Sequence, residues 1–303
     1  MTQKYLIYGL CIDSIIELPE LVPAAGTPDV IVHYGHVDNK PELEEDDFES
    51  LWVTEEQVCI RYQGIGSFLV QHGDEVIVDL DEGAPESVVR LALLGPAISV
   101  ILHQRGFLVL HGSAISINGR AIAIMGNSGD GKSSLAASLQ GKGYDLIADD
   151  LSVIDVDDQE NIRLRPGYPQ LKLWPDLLEA VGDDAAKLEQ VSPNIDKRAK
   201  RLQAGFVDQP VPLHRIYVLG VADSVAVEPL SGQEAFMQLV YNSHNVFLLD
   251  DTGTSQSHFF QCAQLIKHVP VCRLQRPWSL DHMPDVIRAI EEDVTTSEPT
   301  INT

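Results

Sequence analysis

Residues Gly126, Asn127, Ser128, Gly129, Asp130, Gly131, Lys132 and Ser133 follow the spacing G-x-x-x-x-G-K-[ST] of a phosphate-binding loop. Its glycines allow successive backbone N–H groups to turn inward and form a nest for phosphate oxygens. Lys132 adds a point charge for β- and γ-phosphates, the Ser133 hydroxyl offers one coordination position to Mg²⁺, and Ser134 carries the set into the following segment. The flanks suit the motif. Arg120–Met125 is a short apolar run fit for a buried strand, Ser134–Gln140 is rich in helix formers, and Gly141 and Gly143 can end that helix. A strand, a glycine loop and a helix N-terminus together favour an anion. The expected ligand is a nucleoside triphosphate.

Two carboxylates lie in register with that loop. Asp149-Asp150 closes the apolar run Leu146–Ala148, 17 residues beyond Lys132. Ligands of open α/β sheets bind beyond the carboxyl ends of strands, which places both acids beside the loop. One can hold Mg²⁺; an adjacent second one can accept the proton of an attacking hydroxyl, as phosphoryl transfer to an alcohol requires. A turn-forming Asp-Asp pair is the plain alternative. His111 ends an apolar run 21 residues before Lys132 and precedes Gly112-Ser113, with nothing local to assign its role. No N-K-x-D guanine motif and no H-R-D or D-F-G signature occurs, which weighs against GTPase and eukaryotic-type kinase readings.

The elements needed to hold these groups read as α/β. Residues 1–84 are β-rich, with strand-like runs at Tyr5–Ile12, Asp29–Tyr34, Leu51–Val53, Val58–Tyr62, Ser67–Val70 and Glu75–Asp79. The acidic run Glu42–Glu49 reads as a solvated loop. Residues 85–106 form a connecting helical segment, strongly apolar, which Pro96 should bend or divide. Residues 107–294 hold the phosphate-loop unit. Its strands are expected at Phe107–His111, Ala114–Ile117, Leu146–Ala148, Ser152–Val156, Ile162–Leu164, Ile216–Val221 and Val269–Leu274. Its helices are expected at Trp174–Val181, Gly232–Tyr241 behind the capping box Ser231-x-x-Glu234, Gln256–Ile266 and Pro284–Glu292. Residues 295–303 read as a disordered tail.

Composition narrows the partners. The 303 residues carry 45 acidic against 21 basic side chains, a net charge of −24. That argues against a nucleic-acid surface, which needs a basic footprint. Four of the basic residues gather in Lys197-Arg198-Ala199-Lys200-Arg201, readable as a solvated turn or as a receiver of phosphate charge or of an acidic peptide. The longest apolar run, Leu91–Leu102, is interrupted by Gly95-Pro96 and reads as too short for a bilayer; with no signal-peptide pattern at the N-terminus, a cytoplasmic protein is expected. Cys11, Cys59, Cys262 and Cys272 share no C-x-x-C spacing and read as reduced, buried thiols.

Leu110-His-Gly-Ser-Ala114, Gly126-x-Ser-Gly-x-Gly-Lys-Ser133 and Leu146-Ile-Ala-Asp-Asp150 together resemble the C-terminal domain of bacterial HPr kinase/phosphorylase. The resemblance implies His111 and Asp149 as catalytic, with Asp149 the base on an acceptor serine, and Ser133 and Asp150 as Mg²⁺ ligands; Lys132, from the phosphate loop, is expected to join the catalytic set. It also implies ATP as phosphoryl donor and an HPr kinase/PEP-carboxykinase-like P-loop core beside the smaller β-rich N-terminal region. The family's L-E-I-R-G-L-G signature is replaced here by Arg163–Pro175, so neither HPr as substrate, nor phosphorylase activity, nor the signature's glutamate ligand is carried over. Tyr8–Ser14, Leu18–Leu21, Leu93–Pro96 and His103–Gly106 are similar to HPr-kinase-like proteins of peptide-modification clusters, among them kinases of lasso-peptide precursors. The expectation is an ATP- and Mg²⁺-dependent serine kinase acting on a peptide or small protein, without nucleic-acid or membrane partners. HPr kinases are hexamers, so the resemblance adds homo-oligomerisation to the expected partners. The alternatives are a nucleotide sensor that transfers no phosphate and a kinase of a small alcohol.

Overall fold

A computed structural model describes residues 2–44, 46–156, 161–180, 183–192 and 195–296 of the chain. The architecture is mixed α/β with two large sheets. The first sheet is built from β1 (Gln3–Ile7), β2 (Leu10–Ser14), β3 (Val22–Pro23), β4 (Val30–Tyr34), β5 (Glu49–Val53), β6 (Gln57–Tyr62), β7 (Gly66–Gln71) and β8 (Glu75–Leu80). Their order is β3-β1-β2-β4-β8-β7-β6-β5. The run Tyr5–Ile12, expected as one strand, is a hairpin instead: Tyr8 and Gly9 both take positive φ, 51° and 75°, and reverse the chain. Gly9 adopts that conformation freely; Tyr8 does so because its ring is buried and its hydroxyl donates to Leu151 O at 3.2 Å.

Next come α1 (Glu86–Ala92), a π-helical turn over Leu93–Ala97, and α2 (Ile98–Gln104). Pro96 sits inside that turn, whose wider hydrogen-bond spacing accommodates the missing N–H without ending the helical run. The continuous helical run Glu86–Gln104, longer than the apolar run Leu91–Leu102, is by length and composition alone long and apolar enough to cross a membrane, a test that a buried core helix also passes. It is packed inside the protein. Leu93, Ile98, Ile101 and Leu102 are fully buried, and the helix contacts both β7 and the first strand of the second sheet. Each such side chain contributes about 1.5–3 kcal/mol by leaving water.

The second sheet comprises β9 (Leu108–Ile117), β10 (Arg120–Met125), β11 (Asp145–Ala148), β12 (Leu151–Val156), β13 (Ile162–Arg165), β17 (Val211–Val221), β18 (Ala226–Pro229) and β19 (Val271–Arg276). Between them lies a separate three-stranded sheet of β14 (Gln170–Leu173), β15 (Gln190–Ser192) and β16 (Ile195–Arg201). The helices are α3 (Lys132–Gly141), α4 (Pro175–Ala180), α5 (Gly232–Tyr241), α6 (Ser255–His268) and α7 (Met283–Thr296). β9 is one ten-residue strand rather than the two expected, and it changes partners along its length. Leu108–His111 pairs with β12, while Gly112–Ile117 pairs with β10 and Ala114–Ser116 with β11. Since β9 runs antiparallel to both β10 and β11, the carboxyl ends of those two strands emerge on the same side. Ser231 caps α5 with the expected reciprocal Glu234 box. Val181, the expected end of the helix now seen as α4, and residues 297–303 of the expected tail lie outside the described residues; Thr295 and Thr296 belong to α7. The four cysteines are free and buried.

Candidate active site

The glycine loop leaves β10 at Met125 and enters α3 at Lys132. Gly126, Gly129 and Gly131 take φ of 155°, 90° and 86°, values that side-chain-bearing residues avoid. At two of them space is lacking as well: a Cβ on Gly126 would meet Asp130 Oδ2 at 2.9 Å, and one on Gly131 would meet Arg276 Nη2 at 2.9 Å. The loop is braced from within and without. Asn127 N donates to Asp130 Oδ2 at 2.6 Å, Tyr241 Oη donates to Asn127 Oδ1 at 2.9 Å, and Arg276 Nη2 donates to Asp130 O. The first-turn amides of α3 have no carbonyl one turn earlier to accept them and point toward the loop mouth. Lys132 Nζ donates to Gly126 O and Asn127 O, both at 2.8 Å, which leaves one of its three protons for the cleft. Burial lowers the Lys132 pKa, while Asp150 and Asp130 act in the opposite direction.

The two aspartates diverge. Asp149 is 7% exposed and fully engaged: Oδ1 accepts from Ser113 Oγ at 2.7 Å and Ser133 Oγ at 2.9 Å, and Oδ2 accepts from Lys172 N at 3.0 Å. Asp150 takes a left-handed φ of 82°, which turns its side chain away from the loop serine. Its carboxylate meets Lys172 Nζ at 2.9 Å and lies 3.6 Å from His111 Nδ1, with 40% of the side chain exposed. Ser133 and Asp150, the expected Mg²⁺ ligands, line the same cleft, and the Ser133 hydroxyl is itself hydrogen-bonded to Asp149.

Lys172 escaped the sequence reading, and it organises both acids, one through its amide and one through its ammonium. Burial opposes its charge, yet Tyr168, Asp150 and Asp149 hold its pKa above the ordinary lysine value. In return the Lys172 charge holds Asp150 well below the usual carboxylate range. The available signal was the alternation Gln170-Leu-Lys-Leu173: Leu171 and Leu173 point into the core and Lys172 to the opposite face, between Pro169 and Pro175. Ser113 was also missed as a ligand, because its role depends on β9 running past the end of β11. His111 has its pKa lowered by burial and by Lys132, with Asp150 acting the other way, so its imidazole is neutral near pH 7.

A cleft opens between these groups. Leu173, Trp174 and Lys197 form its far wall, where Lys197 Nζ sits 5.6 Å from the Trp174 ring centre. The basic cluster is strand β16, and its alternation divides it. Lys197 reaches the cleft, whereas Arg198 donates to Asp196 at 2.7 Å and Lys200 pairs with Asp183 at 2.6 Å.

A divalent ion fits the donor set. The Ser133 hydroxyl lines the cleft, held from behind by its hydrogen bond to Asp149, and the Asp150 carboxylate lines the cleft beyond it. Among the described residues no group of three or more His, Cys, Asp or Glu could hold a metal by itself. Mg²⁺ needs no such group, since it binds one or two carboxylates and otherwise keeps water and phosphate oxygens.

No family model matches the chain, and no curated protein matches it. Among solved structures, the Hpr(Ser) kinase/phosphatase from Coxiella burnetii is similar at a TM-score of 0.34 and 12% identity, over 61% of this chain and 95% of that one. So loose a likeness leaves the chemistry to be read from the cleft.

Proposed function

We propose that the chain is an ATP- and Mg²⁺-dependent kinase transferring the γ-phosphoryl group to a serine hydroxyl on a peptide or small protein. The observation that carries this reading is the pair of unlike carboxylates on one turn: Asp149 bonded to the serine of a glycine loop, and Asp150 open to the cleft beside His111. A sensor needs the first arrangement only.

The loop amides and Lys132 would hold the triphosphate, and the Ser133 hydroxyl, oriented by Asp149, would hold Mg²⁺, which would supply charge neutralisation at the phosphates. Asp149, with both oxygens engaged, positions rather than reacts. Asp150 is the carboxylate that an acceptor hydroxyl can reach, and Lys172 keeps it ionised. The acceptor proton passes to Asp150 Oδ1 as the new P–O bond forms and the bond to the β-phosphate oxygen breaks. His111, neutral, faces the transferring group. This reading moves the base role that the family resemblance implies from Asp149 to Asp150.

Labelled ATP, Mg²⁺ and a serine-containing peptide library separate the readings. Asp150→Asn is expected to bind ATP as the unaltered protein does and to lose transfer by about 10²–10⁴-fold. Asp149→Asn is expected to weaken the Mg²⁺ dependence of nucleotide binding. If Asp149→Asn instead keeps Mg²⁺–ATP binding and alone abolishes transfer, Asp149 is the base. Absence of labelled peptide, with ATP still bound, overturns the peptide-kinase reading, and a screen of small alcohols for ATP consumption then divides an alcohol kinase from a sensor.

A further inference from the structure

The glycine loop borders a second groove. It shares Gly129, Gly131, Ser134 and Trp174 with the cleft described above. Its other walls include Arg276, Trp278 and Met283. Trp174 and Trp278 are 49% and 61% exposed, an unusual amount of aromatic surface to leave in water at one place. Arg276 is 7% exposed; its guanidinium carbon lies 5.4 Å from the Trp278 ring centre, and its Nε has no hydrogen-bond partner among the described residues. The same arginine holds the loop through Asp130 O, so the groove and the loop are one mechanical unit.

Polarity decides what the groove receives. Asp150 and His111 mark the reacting end of a bound triphosphate, in the first cleft. From the loop the ligand can continue past Ser134 and Trp174, which line both cavities, into the groove where Trp278 stands. An aromatic base gains stacking energy from an exposed indole face whatever its hydrogen-bonding edge. A guanidinium adds charge for the α-phosphate or ribose oxygens.

We propose that this groove is the nucleoside subsite: the base stacks on Trp278 with Trp174 at its flank, and Arg276 couples base occupancy to the conformation of the glycine loop. The inference rests on the phosphate-loop reading above. It assigns nucleoside recognition to residues outside that loop and makes stacking, rather than base-edge hydrogen bonding, the main source of affinity.

The test titrates the full chain, in Mg²⁺, with ATP and separately with inorganic tripolyphosphate. Binding is read by calorimetry and by tryptophan emission, to which only Trp52, Trp174 and Trp278 contribute. ATP is expected to quench emission and tripolyphosphate to leave it nearly unchanged. Trp278→Ala should weaken ATP by about tenfold or more while tripolyphosphate affinity stays the same, and Trp278→Phe should restore most of the loss. Trp174→Phe, with thermal melting alongside, guards against a folding artefact at one position. Unchanged ATP affinity in Trp278→Ala, or equal losses for both ligands, overturns the subsite. Failure of the unaltered chain to bind either ligand overturns the phosphate loop itself, and the subsite with it.

Discussion

The two large sheets treat charge differently. In the first, ion pairs lie at the surface: His33 meets Glu75 at 2.9 Å with 39% and 34% exposure, and Lys40 meets Asp79 at 2.9 Å with 26% and 17%. Among the described residues the buried charged side chains all lie beyond residue 84, namely Lys132, Asp149, Lys172, Arg215 and Arg276. All of these except Arg215 touch the glycine loop, the aspartate turn or the groove beside them. Burying an ionised group costs several kcal/mol unless it is paired and hydrogen-bonded. A fold that gathers four such groups at one end of one sheet gives up stability there, as sites of chemistry commonly do. Among the described residues the first sheet buries no whole charged side chain, although Asp13 Oδ1 on β2 is a buried oxygen without a hydrogen-bond partner.

The sharpest way to test that contrast is to neutralise Asp150, with the expected 10²–10⁴-fold loss of transfer set against unchanged ATP binding. Lys172→Met comes next. It removes the cation between the two acids and is expected to lower unfolding free energy by about 1–3 kcal/mol, below the range for a fully buried pair because Asp150 is partly exposed. The pH dependence has a definite sign. Asp150 has a depressed folded pKa, so its contribution is present above the unfolded value of about 3.9 and is lost as pH falls through the folded one. Lys172 has a raised folded pKa, so its contribution is present below about 10.4 and is lost as pH rises through the folded value. The stability gap between the unaltered protein and Lys172→Met should therefore be widest from about pH 5 to pH 9 and narrow at both extremes. Urea titrations across that range check it, and a gap independent of pH would refute the charge argument.

His111 supplies a milder effect. Its lowered pKa predicts a transfer rate that declines only as pH drops beneath the ordinary value near 6.5, when the imidazole takes up a proton. In the pH–rate profile of His111→Gln that acid limb should vanish. The smallest effect belongs to the first sheet. Glu75→Gln breaks the His33 pair, and its cost should stay under about 1 kcal/mol and fade with added salt. A loss as large as that of Lys172→Met would erase the distinction between the two sheets.

Much of the architecture was legible because local rules govern it. The strand–loop–helix around Gly126–Ser133, the capped helix Gly232–Tyr241 and most hairpins of the first sheet follow from glycine conformation, capping and period-two alternation. Three features were not. The hairpin at Tyr8 depends on Leu151, a residue 143 positions away, accepting the tyrosine hydroxyl. The division of Lys197–Arg201 into Lys197 at the cleft and Arg198 and Lys200 in ion pairs depends on β16 pairing with β14, which no local propensity in that basic run announces. The helix through Pro96 survives because a π-helical turn absorbs the missing donor.

By itself the sequence determined the identity and spacing of the reactive groups, since a glycine loop, a following lysine and serine, and a strand ending in two acids are local patterns with local causes. Only the tertiary structure decided how those groups divide the work. The left-handed turn at Asp150, and the arrival of Lys172 from a distant strand, send one carboxylate to the loop serine and the other to the open cleft. Side-chain direction at a turn is set by what packs against it, and here that partner lies more than twenty residues further along the chain.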